Sequence, residues 1–484
     1  MLSPGSTAAI SALALLGCAA TSARRGAAAV PGNAGNAGGD GGTGSPPTEI
    51  ARASMGTLTV TKWRLDNGLE VVLLPDPRAT SVSYTTWFRV GSRNEEAATG
   101  ETGLAHLFEH LMFTQTKNAA ANAFDNKMDA VGGSTNAMTY YDFTAYVDDI
   151  PSTEMNVAIT LEADRMVNLD LRKKQVENER DVVAEERLSS VEDNVDGILD
   201  ELMYGQAFKT HPYRWPVIGS MKDIKAITQA KAAAFYKKFY APNNAVLVIA
   251  GKIDEAATLS AITGAYGAIP PSKKLPKDEA KPERAPQSEV RTTIARPVPA
   301  DRLVIGFPAP ALGAPDRAAY EVLNELLANG PSSRLNRALV VDKQWASSVH
   351  GDIAPTRDPG LYAIWIQMVK GHTAEEAERL VVEAAADLAA RPVSAAELGK
   401  AAARMETQFW QQLGSSHGRA ETLGAFEIAA GDFRALLARG AEYAHVTAAD
   451  VQKAAAGYLA TGARSVVIAR PSGEPVAPHG TEKL

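Results

Sequence analysis

Alternating apolar and polar residues mark the first folded segment of the chain. The run LTVTKWRLDNGLEVVLLPD, which begins at Leu58, alternates on both sides of Asp66-Asn67-Gly68. An Asn-Gly pair between two such runs is a strong signal of a β-hairpin. A further run, SVSYTTWFRVGS, begins at Ser81 and predicts another strand. We therefore expect folded structure from about residue 57 onward.

The second half of the chain repeats a helix-then-strand pattern found in the first half. The segments that begin at Ile227 and Val446 align without a gap at an offset of 446 − 227 = 219 residues, and Thr228 then matches Thr447. A match of this length predicts an internal duplication, although two ordinary alanine-rich helix–strand pairs would also produce one. The expected fold class is α+β, with two homologous domains that each layer a β-sheet with helices.

Composition divides the chain at two stretches that are poor in large apolar residues. One follows the N-terminal apolar run and is rich in Gly, Ala and Pro, which is typical of a flexible tether. The other, PPSKKLPKDEAKPERAPQSE, is rich in Pro and charge and predicts an interdomain linker. The predicted segments are a leader (1–23), a tether (24–56), an N-terminal domain (57–268), a linker (269–292), a C-terminal domain (293–476) and a tail (477–484).

The overall composition is that of a globular protein. The 484 residues are 45% hydrophobic and 22% charged, with a formal net charge of -7. The acidic balance, without a basic stripe, argues against nucleic acid as a partner. With one cysteine, the chain can form no internal disulfide.

That single cysteine closes a short apolar run near the N-terminus. AAISALALLGCAA, residues 8–20, is too short to span a membrane and resembles the apolar core of a secretory signal. Leu15-Leu16-Gly17-Cys18 resembles a bacterial lipobox, although Leu16 is not the usual small residue. A plain signal peptide is the alternative. We expect an exported protein of a bacterium, periplasmic or held at a membrane only by a lipid on Cys18.

The segment GLAHLFEHLMF, residues 103–113, has the spacing of an amphipathic helix. At 100° per residue, one face is apolar and the opposite face carries polar residues. The apolar face comprises Leu104, Leu107, Phe108 and Leu111, and the opposite face comprises His106, Glu109, His110 and Phe113.

The polar face carries groups that suit a metal ion. His106 and His110 lie one helical turn apart, so both imidazoles can reach one zinc ion. Glu109 shares their face and could accept a proton from water activated by that ion. A catalytic zinc requires a third protein ligand and an open position. The alternative is an amphipathic helix that carries spare polar residues.

A second helical segment, VENERDVVAEERLSS, offers carboxylates for the third position. Glu179 and Glu186 are seven residues apart and share a face. Spacing alone does not choose between Glu185 and Glu186 as the ligand. A solvated helix of mixed charge is the competing interpretation.

These blocks together resemble the pitrilysin, insulinase and mitochondrial processing peptidase family of zinc peptidases, the inverzincins with H-x-x-E-H. GSRNEEAATGETGLAHLFEHLMF is similar to the family's zinc block, and ERDVVAEERL to its third-ligand block. The family places that ligand 76 residues after the second histidine, and 186 − 110 = 76 implies Glu186. Glu179 falls on the family's supporting glutamate. The resemblance implies one Zn²⁺ per chain, bound by His106, His110 and Glu186.

The resemblance also implies how substrate binds. In the family, two homologous domains close like a clamshell around a peptide, which adds as a β-strand near the position of Asn136-Ala137. Pairing through the backbone gives affinity with little sequence preference. The implied activity is a zinc endopeptidase that cleaves unfolded peptides or small proteins, with Glu109 as the base.

The second domain of the family usually contributes an arginine and a tyrosine. Arg334 in GPSSRLNRALVVDKQWASSV matches the arginine, but Ser347 stands at the tyrosine position. The loss of one oxyanion donor typically costs a few kcal/mol. The chain could therefore need a partner subunit with the Arg/Tyr pair, or it could be a non-catalytic peptide-binding or structural relative. Its oligomeric state is open between monomer, homodimer and heterodimer. An ordinary surface arginine is the plain interpretation of Arg334.

Overall fold

A computed structural model describes residues 45–276, 280–283, 288–459 and 463–473. Cys18, the predicted leader and the predicted C-terminal tail lie outside these residues. Within the described ranges, no helix combines the length and apolar character needed to cross a membrane.

The strands of the described residues form two β-sheets. The first sheet has the order β1-β2-β3-β7-β4-β6-β5, and the second has the order β10-β11-β9-β12-β8. The strands are β1 (Thr48–Met55), β2 (Leu58–Arg64), β3 (Glu70–Pro75), β4 (Ser81–Phe88), β5 (Ser134–Thr139), β6 (Thr144–Pro151), β7 (Ala245–Gly251), β8 (Val290–Arg296), β9 (Arg302–Ala309), β10 (Ala346–Ile353), β11 (Gly360–Met368) and β12 (Ser465–Pro471).

Helices cover and connect these sheets, which confirms the α+β class. The α-helices are α1 (Leu104–Leu111), α2 (Ala123–Ala130), α3 (Met155–Asn168), α4 (Lys173–Arg187), α5 (Val195–Ala207), α6 (Met221–Ala226), α7 (Gln229–Phe239), α8 (Glu255–Tyr266), α9 (Arg317–Leu327), α10 (Ala374–Ala390), α11 (Ala395–Gln412), α12 (Ser416–Ala425), α13 (Arg434–His445) and α14 (Ala448–Ala454).

The two sheets share one topology. The order β3-β7-β4-β6-β5 in the first corresponds to β8-β12-β9-β11-β10 in the second. In both, the first pair is parallel and the other three are antiparallel. The aligned residues Thr228 and Thr447 are the N-caps of α7 and α14, where each side chain accepts a backbone N–H bond. The predicted duplication is confirmed.

The predicted hairpin is also confirmed. Strands β2 and β3 pair antiparallel and close with Arg64 opposite Glu70. Gly68 in the turn has φ of 85°, a left-handed conformation that favours glycine over other residues.

The predicted boundary of the tether is wrong at its C-terminal end. Residues 48–55 form β1, which pairs antiparallel with β2 at the edge of the first sheet. Only Met55 of this strand is buried, so its sequence lacks the run of large apolar residues that would have predicted a strand. The linker is likewise shorter than predicted, because β8 already begins at Val290.

Each half of the chain packs one helix on the sheet of the other half. Helix α5 of the first half lies on β8, β9 and β12, and helix α12 of the second half lies on β4 and β7. Small residues allow these close approaches. A Cβ atom on Gly424 of α12 would lie 2.1 Å from the ring of Trp87, and one on Gly306 of β9 would lie 2.5 Å from the sulfur of Met203.

One buried apolar cluster therefore runs through both halves. It includes Val72 and Val246 of the first sheet, Leu199 of α5, and Ile305 and Val467 of the second sheet. This core fills the contact between the halves where α5 and α12 pack on the opposite sheets.

Ion pairs surround the shared core. Lys62 Nζ lies 2.6 Å from a Glu427 carboxylate oxygen, and Arg419 lies 2.7 Å from Asp76. Each pair joins the first half to the second. The halves are thus held by buried apolar packing and by charged contacts around it.

The glycine contact at α12 gives a test of this shared packing. We expect Gly424→Ala to destabilise the protein by about 1–3 kcal/mol, because the added methyl overpacks against buried Trp87. The matched control is Gly264→Ala in α8, where a Cβ meets nothing within 4 Å. It should stabilise by about 0.5–1 kcal/mol through helix propensity. Urea denaturation measures both, and equal effects would contradict the packing.

Candidate metal centre

Helix α1 buries both its apolar and its polar face. The helix follows Gly103, whose φ of 94° is left-handed, and all of its residues except His110 are buried. Leu104, Leu107, Phe108 and Leu111 belong to the apolar core of the first half. The polar face packs on α4, so the predicted amphipathic helix is confirmed and its polar face turns toward another helix.

Helix α4 brings a carboxylate to both histidines. His106 Nε2 lies 3.5 Å from Glu186 Oε1, and His110 Nε2 lies 3.3 Å from Glu186 Oε2. One donor atom from each of the three residues lies within 4.8 Å of the others. Glu185, which spacing had left as an alternative, is exposed. The described residues therefore bring Glu186 to the histidine pair.

These donor atoms are close enough together to bind one zinc ion. Ligands about 2.0–2.1 Å from a zinc ion at the corners of a tetrahedron lie roughly 3.3 Å apart. The two histidine nitrogens lie 3.3 and 3.5 Å from Glu186, each from a different carboxylate oxygen, and one donor atom from each of the three residues lies within 4.8 Å of the others. Two imidazoles and one carboxylate are also a known catalytic donor set, which leaves a fourth position open. The residues present thus fit the metal that the sequence implied.

Glu109 lies beside this donor set without being part of it. Its Oε2 atom lies 4.0 Å from His106 Nε2. The side chain is buried, and Oε2 has no hydrogen-bond partner among the described residues. A buried acceptor without a partner is costly, so its retention here indicates that it faces a ligand or water. His106 Nδ1 is also buried without a partner.

The electrostatic environment differs between the two histidines. Burial lowers the pKa of His106, although Glu109 and Glu186 oppose this effect. Burial also lowers the pKa of His110, but the hydrogen bond and charge of Glu186 outweigh it, so the pKa of His110 is raised. Burial thus favours the neutral form of His106, which a metal ligand requires. At His110, the carboxylate of Glu186 favours the protonated form instead.

Glu179 lies beside the cluster, next to the Nδ1 side of the His110 ring. Its Oε2 atom is 3.8 Å from His110 Nδ1, which is longer than a hydrogen bond. Burial raises the pKa of Glu179, and the charge of His110 opposes the rise. The carboxylate therefore faces the ring nitrogen of His110 that points away from Glu186, which agrees with the supporting role that the sequence predicted.

Asn136 and Ala137 lie on β5, the edge strand of the first sheet. This strand pairs with β6 on one side only, and α1 packs against it. Asn136 is exposed and Ala137 is buried. The strand edge and the helix that carries the two histidines are thus neighbours.

Arg334 is engaged within its own half of the chain. Its guanidinium nitrogens bond to Glu397 at 2.9 and 3.0 Å and to Asp387 at 2.8 Å. Ser347 lies on the edge strand β10 and donates to the Gln367 carbonyl oxygen at 3.2 Å. The described hydrogen bonds of Arg334 thus go to anionic partners of the second half.

Two further side chains, which the sequence does not single out, support α1 on the side of the first sheet and α3. The buried Tyr146 hydroxyl donates to the Phe108 carbonyl oxygen at 2.9 Å. The guanidinium of buried Arg165 lies 4.4 Å from the Tyr146 ring centroid and also ion-pairs with Glu162. These residues sit on β6 and α3, and no local motif in the sequence marks them.

Comparison with known proteins assigns the chain to a family. A sequence profile described as Insulinase (Peptidase family M16) matches residues 70–220, and one described as Peptidase M16 inactive domain matches residues 226–405. The first match contains the candidate metal centre.

Curated relatives carry matching names. The zinc protease PqqE of Helicobacter pylori is 30% identical over 357 residues, which cover 73% of this chain and 80% of that protein. An uncharacterized zinc protease of Mycobacterium tuberculosis is 28% identical over 87% of this chain and 93% of its own length.

Solved structures share the fold. A protease from Helicobacter pylori superposes with a TM-score of 0.81 at 26% identity, covering 88% of this chain and all of that one. The periplasmic protease PqqL of Escherichia coli matches with a TM-score of 0.70 at 16% identity, but 87% of this chain covers only 48% of PqqL. With two consecutive family profiles, a relative of 30% identity and a shared fold, the chain belongs to the insulinase family, peptidase family M16.

Proposed function

We propose that the protein is a zinc-dependent endopeptidase that hydrolyses unfolded peptides or small proteins. The observation that carries the proposal is the convergence of His106 Nε2, His110 Nε2 and the Glu186 carboxylate at donor separations of 3.3 and 3.5 Å. Relatives named zinc proteases support the same activity.

In this proposal His106, His110 and Glu186 hold the zinc ion. When bound, zinc supplies Lewis acidity, which polarises a peptide carbonyl and brings the pKa of a water ligand to about 7. Glu179 supports His110 through its charge, because its carboxylate faces the other ring nitrogen, Nδ1, at 3.8 Å. The ligands come from two helices that pack together, so the geometry of the site depends on that packing.

Glu109 acts as the general base and then as the general acid. It takes a proton from the water that attacks the peptide carbonyl, and it passes that proton to the leaving amine. Its buried and unpartnered Oε2 atom supports this role, because the acceptor is available for water beside the ligand set.

The free edge of β5 binds the substrate in this proposal. An extended peptide adds to the strand at Asn136 and Ala137 through backbone hydrogen bonds, which require little of the peptide sequence. The packing of α1 on β5 supports this placement, because the peptide backbone would then run beside the histidine helix.

A second candidate function is that of a zinc-binding chain that cleaves only with a partner subunit. Two observations favour it: Arg334 is fully engaged by Asp387 and Glu397, and Ser347 stands where the family has tyrosine. The chain also covers less than half of Escherichia coli PqqL, so that relative is about twice as long. Hydrolysis by the isolated chain separates the two candidates.

The choice of the third ligand can be tested by a matched pair of variants. Glu186→Gln should lower the zinc content well below one ion per chain, because the amide loses the charge that faces both histidines. Glu185→Gln changes an exposed neighbour and should keep full zinc content. Zinc at a hundred times its Kd stabilises a folded protein by about 2.7 kcal/mol. Added zinc should therefore raise Tm in wild type and Glu185→Gln only; equal zinc binding by both variants would refute Glu186.

The role of Glu109 can be separated from metal binding. Glu109→Gln should keep bound zinc, since Glu109 is not in the donor set, and should lower kcat by about 10²- to 10⁴-fold, the usual contribution of a general base. Metal analysis and the kinetics of peptide cleavage measure both effects. Wild-type kcat in this variant would rule out Glu109 as the base, and loss of zinc would indicate a ligand instead.

A further inference from the structure

A buried glutamate outside the metal cluster binds the first turn of α1. Glu95 Oε2 accepts the Gly103 N–H bond at 2.9 Å, and Glu95 Oε1 accepts the Ala105 N–H bond at 2.8 Å. Both donors belong to the end of the helix, where backbone N–H groups have no partner within the helix. The second donor, Ala105, directly precedes His106.

No nearer side chain performs this capping. The N-cap position is Gly103, which has no side chain that could accept a hydrogen bond. Helix α1 has only eight residues, so a rotation at its first turn would move every polar group that it carries. The carboxylate of Glu95, eight residues before Gly103 in sequence, therefore fixes the start of the helix from outside.

The segment that carries Glu95 is itself anchored on several sides. The Arg93 N–H group donates to the Tyr141 carbonyl oxygen at 3.0 Å, and the Trp215 indole donates to the Ser92 carbonyl oxygen at 2.8 Å. The buried guanidinium of Arg93 contacts Asp142 at 2.8 Å and Asp358 of the second half at 2.6 Å. Glu95 thus extends from a segment that both halves hold in place.

We propose that Glu95 is a positioning residue that sets the orientation of α1 and thereby the affinity and geometry with which His106 and His110 bind the metal. The inference rests on the proposed zinc function and extends it to a residue that contacts neither metal nor substrate. Partners that orient ligands in this indirect way typically contribute 10–100-fold to metal affinity or activity.

Each carboxylate oxygen of Glu95 accepts a different backbone N–H bond, so substitutions of this residue can test the two bonds. Glutamine keeps the size of the side chain but offers one acceptor oxygen, so one of the two N–H groups loses its partner. Aspartate keeps two acceptor oxygens on a shorter side chain.

The test compares the zinc affinity of three variants with that of the full-length wild-type protein. Glu95→Gln should weaken zinc binding by about 10–100-fold in chelator competition and alter the visible absorption spectrum of the cobalt-substituted protein. Its kcat should fall while KM changes little, because β5 is not touched. Glu95→Asp should recover part of the affinity. Glu96→Gln, at an adjacent side chain that is 60% exposed, should match wild type.

The outcomes distinguish this inference from the function on which it rests. A Glu95→Gln protein that melts at a lower temperature, yet keeps the wild-type zinc affinity and cobalt spectrum, would reduce Glu95 to a structural cap and overturn the inference. The same result for Glu95→Asp would overturn it if the glutamine variant does not fold. Absence of zinc binding by the wild-type protein would overturn the proposed function itself.

Discussion

The structure depends on the burial of a polar helix face. Helix α1 places His106 and Glu109 in the interior against α4, where Glu186 meets both histidines. Buried polar and charged groups are costly unless they are paired with one another or with a metal ion. The described residues leave His106 Nδ1 and Glu109 Oε2 without hydrogen bonds. In the proposed function, a metal ion bound by His106 Nε2, His110 Nε2 and the Glu186 carboxylate would offset part of this cost, and water beside it would be a partner for Glu109 Oε2.

In the second half, a different contact joins the pair of helices that corresponds to α1 and α4. Helix α9 lies between β9 and β10 in sequence, as α1 lies between β4 and β5, and it packs on α11. Here Glu325 of α9 forms an ion pair with Arg404 of α11 at 2.7 Å. A direct pair of opposite charges thus joins these two helices. This difference explains how two halves of one topology can have one candidate metal centre among the described residues.

Sequence patterns predicted the features that depend on residues close together in the chain. The Asn67-Gly68 turn, the helix with His106 and His110, and the matching helix–strand segments of Thr228 and Thr447 all depend on neighbours in sequence. Spacing left Glu185 and Glu186 equivalent, because only the packing of α4 on α1 separates them. The sequence pattern does not predict β1, because Met55 is the one buried residue of this strand. Contacts between distant segments determine the shared core, the packing of α5 and α12 on the sheet of the opposite half, and the capping of α1 by Glu95. No periodicity in the sequence encodes such contacts.

The most direct test of the account is peptide hydrolysis by the isolated, zinc-loaded chain. A quenched, mixed-sequence peptide library would be incubated with purified residues 24–484, with and without a zinc chelator. We predict cleavage that the chelator abolishes and added zinc restores. Zinc-loaded protein that cleaves nothing would contradict a self-sufficient peptidase, and cleavage that persists in chelator would contradict the metal mechanism.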